Sequence, residues 1–163
     1  EVSGTPIRRL DVPKEFQGMS SHGFEVTDKL LKENPQLIAR FGRAVSKGSV
    51  ACDANPTGCL QAFWKHYPDQ KPKVGAEADI LRKELTVMKS RLDNITYFRA
   101  GEPRQWGAYS DRDWKLQIAA LKEGGEVTNE NVPMASLYTN ELVPEYNKFD
   151  PQVVARQARA WTP

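Results

Sequence analysis

Three short signatures divide the chain into helices before any other property is considered: Asn34-Pro35, Asn55-Pro56 and Asp150-Pro151. An Asn or Asp side chain accepts a hydrogen bond from a free N–H of the first helical turn. The proline that follows sets a helical φ where no donor is needed. A chain with such starts is committed to helices over the stretches they open. The first two bracket the run from Leu37 to Gly48, so two helices follow each other in fixed register. Nothing else repeats with this spacing, so the recurrence is not a solenoid period.

Apolar spacing fills in the other helices. Thr27 or Asp28 caps a helix over Lys29 to Glu33. The helix opened by Asn34 carries Leu37, Ile38, Phe41 and Val45 as its expected buried stripe. From Pro56 a shorter helix gathers Leu60, Phe63 and Trp64 and stops at Tyr67-Pro68, because a residue before proline avoids helical geometry. Asp69 to Val74 reads as a polar linker. The longest helix is expected over about Ala76 to Tyr97, broken by Gly101-Glu102-Pro103. Ser110 with Asp113 resembles a capping box ahead of a helix lined by Trp114, Ile118 and Leu121, which ends at Gly124-Gly125. Pro133 to Val143 is helical or irregular, and the last helix runs from Asp150-Pro151 through Val153, Val154 and Ala158.

Two segments read differently. Thr5 to Val12 alternates enough apolar residues, Ile7, Leu10 and Val12, to predict a short strand ended by Pro13. Phe24-Glu25-Val26 is expected to be a second extended piece after the loop Gly18 to Gly23. A two-stranded piece is marginal in water, so these strands call for a sheet encoded upstream of this chain.

Composition narrows function mainly by exclusion. The 163 residues carry 23 Lys+Arg against 21 Asp+Glu, a net charge of +2, with no run of four basic residues, and this balance argues against a nucleic-acid surface. No stretch reaches the roughly 18 to 20 consecutive apolar residues of a membrane span, so the chain is expected not to be membrane-embedded. The opening residues Glu1 to Leu10 hold no charged-then-apolar leader, which suggests that earlier sequence was processed away or is missing. Cys52 and Cys59 have six residues between them; a disulfide in an oxidising compartment and two separate buried thiols both remain open, and no companion ligands point to a metal.

Several motifs, taken in order, resemble one family: Pro6-Ile7-Arg8-Arg9 with Pro13, Asn34-Pro35, Arg40-Phe41-Gly42-Arg43-Ala44, Lys47-Gly48, Asn55-Pro56 and Tyr67-Pro68. They continue with Trp106-Gly107, Trp114, Tyr138-Thr139-Asn140-Glu141-Leu142 and Asn147-Lys148-Phe149-Asp150. The cadence is similar to that of bacterial ABC-transporter solute-binding proteins of the nitrate, sulfonate, taurine and pyrimidine-precursor type, a group that includes fungal thiamine-pyrimidine synthase.

The resemblance implies an α/β, periplasmic-binding-protein type II-like fold, of which this chain would be the mostly helical C-terminal portion. Residues 1–15 would be the last strand of a second lobe, 16–26 the crossing between lobes, and 27–163 the helical return to the first lobe. It implies a periplasmic or extracytoplasmic, non-catalytic component without cofactor or metal. Its partners would be a small polar organic solute or anion, an ABC permease and the missing N-terminal part of the same protein.

Placed at the crossing, Ser20, Ser21, His22 and Phe24 become the candidate ligand-binding residues, two hydroxyls and an imidazole for polar groups and a ring to wall the pocket. The plainer account is a solvent-exposed turn whose glycines serve the backbone. His66 is explained by its place at a helix end, Trp64 and Trp114 by burial on apolar stripes, and Arg40 and Arg43 by solvated helix faces. Trp106 is less committed to a core. Asn94-Ile95-Thr96 matches a glycosylation sequon but falls inside a helix.

Two other functions compete. A thiamine-pyrimidine-synthase-like enzyme would need a cysteine cluster before the crossing, whereas Phe16-Gln17-Gly18-Met19-Ser20-Ser21 offers no thiolate. A helical ligand-sensing or interaction module would use the apolar stripes on a partner instead.

Overall fold

The computed structural model describes residues 4–8, 10–11, 13–14, 23–95, 105–129 and 131–162. Its helices are α1 (Asp28–Glu33), α2 (Pro35–Ala54), α3 (Pro56–His66), α4 (Glu77–Ile95), α5 (Asp111–Glu123), α6 (Val143–Tyr146) and α7 (Pro151–Ala160), with short 3₁₀ turns at Pro68–Gln70 and Met134–Ser136. The caps form where the sequence places them. Asn34 Oδ1 accepts from Leu37 N at 3.2 Å, Asn55 Oδ1 from Gly58 N at 2.9 Å, and Asp150 Oδ1 from Gln152 N at 2.8 Å. Ser110 caps α5 through the N–H of Asp113 at 3.3 Å.

The α/β expectation fails. Among the described residues there is no strand, and the chain is all-α. The described part of Thr5 to Leu10 is irregular with Ile7 and Leu10 exposed, and Phe24 to Val26 is irregular as well. Backbone N–H and C=O groups need a ladder partner to hold an extended segment as a strand, and no described segment supplies one. Val12 and the loop residues 18–22 lie outside the described residues.

The chain divides into two compact units. The first comprises Glu1–Arg9, Val45–Tyr97 and Phe149–Pro163. Its core is the hairpin of α3 and α4, where Leu60, Trp64 and Ile80 are buried with Leu81, Leu85 and Met88 packed on them. Phe63, expected beside them, turns outward onto Tyr67 at 5.2 Å between ring centres. Lys71 lies over the Trp64 ring at 5.1 Å and pairs with Glu77 at 2.7 Å, which ties the linker to both helices. Helix α7 is held at its C-terminal end by Asn55, whose Nδ2 donates to Ala158 O at 2.8 Å and Trp161 O at 3.3 Å. A disulfide joins Cys52 to Cys59, with Cα atoms 5.1 Å apart.

The second unit comprises Leu10–Ala44 and Phe98–Lys148. Here the ring of Tyr146 fills the space beside two glycines. A Cβ on Gly42 would collide with it, and one on Gly107 would lie 2.7 Å from Tyr146 Cδ2. Gly107 also has φ +79°, a conformation that disfavours any side chain. Arg43 reaches Glu145 at 3.3 Å, donating to both its carboxylate and its carbonyl.

Helix α2 contributes to both units, and its buried face differs from the expected one. Leu37, Phe41 and Val45 are 48%, 52% and 36% exposed, whereas Ala39, Ser46 and Val50 are 1%, 4% and 8% exposed and Gly42 is buried with them. At about 100° per residue the two stripes lie on nearly opposite sides of the helix. Small residues let neighbouring groups approach the helix backbone, as Tyr146 does at Gly42, and that contact outcompetes the larger apolar side chains.

Candidate functional site

Of the four residues expected to bind ligand, the structure describes Phe24; Ser20, Ser21 and His22 lie outside the described residues. Phe24 is 63% exposed, and its ring meets Phe41 edge to face, 5.0 Å between centres at 79°. One side of the ring is therefore anchored while the rest stays open to solvent. The residue before it, Gly23, has the Tyr109 hydroxyl so close to its Cα that no Cβ could be accommodated. The segment is thus seated against two aromatic residues drawn from α2 and from the stretch before α5.

Tyr109 is itself positioned from behind. Asn140 clamps its backbone on both sides, Oδ1 accepting from Tyr109 N at 3.0 Å and Nδ2 donating to Tyr109 O at 2.9 Å. Its ring lies 5.8 Å from both Trp114 and Tyr138, and Trp114 and Tyr138 are nearly parallel at 9° with centres 6.2 Å apart. Tyr138 donates its hydroxyl to Asp111 Oδ1 at 2.7 Å. Trp114 was expected to bury a satisfied indole; its Nε1 is buried with no hydrogen-bond partner among the described residues.

The electrostatics follow from these contacts. Partial burial pushes the Tyr109 phenol above its ordinary value, with the Glu25 charge adding to it. Tyr138 is raised chiefly by its hydrogen bond to Asp111, and Tyr146 by burial. All three phenols stay neutral at physiological pH and can donate or accept hydrogen bonds without carrying charge.

A second asparagine repeats the clamp. Asn147 Oδ1 accepts from Trp106 N at 2.9 Å while Nδ2 donates to Trp106 O at 3.0 Å and to Val143 O at 2.8 Å. Trp106 is thereby fixed through its backbone. The two clamps pin the segment between Trp106 and Tyr109 that presents the aromatic cluster.

The arrangement provides apolar walls with neutral polar tips. Sequence reasoning named Tyr138, Asn140 and Asn147 as family markers without a site and left Trp106 less committed to a core. The signal that could have found them is the pair of asparagines seven residues apart, Asn140 two positions after Tyr138 and Asn147 directly after Tyr146. Arg40 donates to Gln36 O at 3.1 Å on the surface, in keeping with a solvated face. Arg43 instead serves α6 through Glu145. His66 ends α3, and Asn94 of the sequon donates to Ser90 O at 2.9 Å within α4 while Thr96 lies outside the described residues. No described helix is long and apolar enough to cross a membrane. No family model matches the chain, and no curated protein or solved structure shows significant similarity to it.

Proposed function

We propose that this chain acts as a non-catalytic, extracytoplasmic solute-binding component of an ABC importer, taking a small polar organic solute or anion. The observation that supports the reading most is that the residues carrying the resemblance in sequence meet in space. Asn147 holds Trp106, Trp114 stacks on Tyr138, and Lys47 lies 5.9 Å from the centre of the Phe149 ring. A motif series that interlocks within each unit is a single structural pattern. The Cys52–Cys59 disulfide agrees with an oxidising compartment.

Binding would centre on Phe24, with its exposed ring backed by Phe41 and its neighbour Gly23 seated on Tyr109. Such a protein works without chemistry: a solute that contacts the closed state better than the open one shifts the population toward closure, and the permease reads the closed surface.

The test is a thermal-shift series on the purified chain with taurine, nitrate, aromatic carboxylates, pyrimidines and amides. One class should raise the melting temperature in proportion to the logarithm of its concentration, and Phe24→Ala should weaken that response. If no class does so up to millimolar concentration, the solute-binding reading is wrong for this chain.

A helical interaction module is the second reading, favoured by Leu37, Phe41 and Val45 standing exposed along α2. Concentration-dependent association in sedimentation, together with indifference to every solute, would replace the first reading with this one.

A further inference from the structure

The corner between α2 and α3 combines three features. The chain leaves α2 at Ala54, turns at Asn55 with φ −146° and ψ 75°, and enters α3 at Pro56. Asn55 closes both helices, because its N–H donates to Ala51 O at 3.0 Å and its own carbonyl accepts from Cys59 N at 3.0 Å. Its side chain uses every remaining group: Oδ1 takes the N–H of Gly58, and Nδ2 donates to Ala158 O and Trp161 O at the end of α7. The disulfide closes a covalent ring around this residue, with Cys52 three positions before it and Cys59 four positions after.

We propose that the Cys52–Cys59 disulfide is a redox latch for the C-terminal helix: while closed, it holds Asn55 where its amide grips the end of α7, and reduction releases that grip. The geometry requires a fixed corner. Two carbonyls on one short segment, Ala158 O and Trp161 O, share a single NH₂ group, so a modest rotation of the α2–α3 corner loses both bonds. Inside the ring the backbone of Ala54 to Gly58 has few alternatives. Opening it restores the freedom of an Asn-Pro turn that is then held by non-covalent contacts, the two helix-end bonds and the side-chain bonds of Asn55.

α7 has no other anchor of comparable kind among the described residues. None of its residues is fully buried, and its start is capped locally by Asp150. Its last turn therefore depends on Asn55. The opposite end of the corner is secured independently, since Leu60 and Trp64 belong to the α3–α4 core. Opening the disulfide should therefore loosen α7 and leave the α3–α4 hairpin in place.

The chemistry needs a dithiol reductant. One thiolate attacks a sulfur of the disulfide and forms a mixed disulfide, releasing the other cysteine as thiolate. The second thiol of the reductant then displaces the first cysteine. Two electrons pass to Cys52 and Cys59, which take up one proton each, and the dithiol leaves as its cyclic disulfide.

The experiment is hydrogen exchange read by mass spectrometry on the full chain, oxidised and after dithiothreitol, with alkylation to count free thiols. Reduction should accelerate exchange about tenfold in the peptide spanning residues 155–162, while peptides covering Leu60, Trp64 and Ile80 keep their protection. Asn55→Ala with the disulfide intact should show the same selective change, and reduction should add little to it. Cys52→Ala/Cys59→Ala should resemble the reduced protein and ignore the reductant. Unchanged exchange in 155–162 with both thiols alkylated would overturn the proposal. Equal loss of protection in α3 and α4 would also overturn it, because the disulfide would then be a general staple. If Asn55→Ala destabilises the whole chain, the comparison between oxidised and reduced wild type still decides the matter.

Discussion

Asn147 provides the sharpest test of how the second unit is held. Its amide makes three hydrogen bonds in a half-buried setting, one accepted from Trp106 N and two donated, to Trp106 O and Val143 O, all between 2.8 and 3.0 Å. At about 1 kcal/mol net per bond, with part of the loss recovered by water at a half-exposed site, Asn147→Ala should cost about 2 to 3 kcal/mol. For a chain of this size, an urea m-value of about 2 kcal/mol/M turns that into a midpoint lowered by roughly 1 to 1.5 M. The assay is urea unfolding followed by Trp fluorescence and by far-UV circular dichroism.

Asn147→Asp separates hydrogen bonding from packing, because the side chain keeps its shape. It retains the acceptor for Trp106 N, loses both donors and sets a carboxylate against the carbonyls of Trp106 and Val143. At pH 7 the variant should lose about 2 kcal/mol or more. Measured against wild type at the same pH, the deficit should shrink below about pH 4, where a protonated carboxyl regains one donor. If Asn147→Ala lies within about 0.5 kcal/mol of wild type, or the Asp variant matches wild type at pH 7, the clamp does not hold this segment.

Other outcomes follow from neighbouring contacts. Gly107→Ala should destabilise by about 1 to 3 kcal/mol, because φ is +79° and the new methyl meets Tyr146; Gly107→Ala in a Tyr146→Ala background should cost less in a thermal melt. On α2, Leu37→Ser should stay within about 0.5 kcal/mol of wild type while Ala39→Leu costs about 1 to 3 kcal/mol, the reverse of what apolar periodicity predicts. Tyr109, Tyr138 and Tyr146 should titrate above the ordinary phenol value of 10.0 when followed by tyrosinate absorbance, and Asp111→Asn should bring Tyr138 back down. Since the folded values are raised, the stability linked to these phenols is fully present below pH 10 and is lost as pH climbs through the folded values.

How much of this was legible in the sequence depends on whether the signal is local. A cap is decided by three or four adjacent residues, so Thr27, Asn34, Asn55, Ser110 and Asp150 open their helices as read. A strand is not local: Thr5 to Leu10 has the apolar content of one but needs a ladder to pair with, and no strand occurs among the described residues. The rotation of α2 has the same origin. Periodicity weighs Leu37, Phe41 and Val45 by their own hydrophobicity, whereas the buried face is chosen by what approaches the helix from elsewhere in the chain.

The site shows the same division. Phe24 was named because the resemblance places it at the crossing, where its ring would wall a pocket. Its support was not, because Asn140 and Asn147 act on residues 31 and 41 positions away. An asparagine that spans a backbone N–H and a C=O does for one residue what a paired strand does for many. It fixes the chain's path without regular structure. In an all-α chain with no sheet among the described residues for irregular segments to join, such clamps are how the Trp106 to Tyr109 stretch can be held firmly enough to present an aromatic surface. A substitution that spares every ring but removes an amide should therefore disorganise the cluster more than the loss of Phe24 itself, whose exposed ring rests on Phe41 of α2.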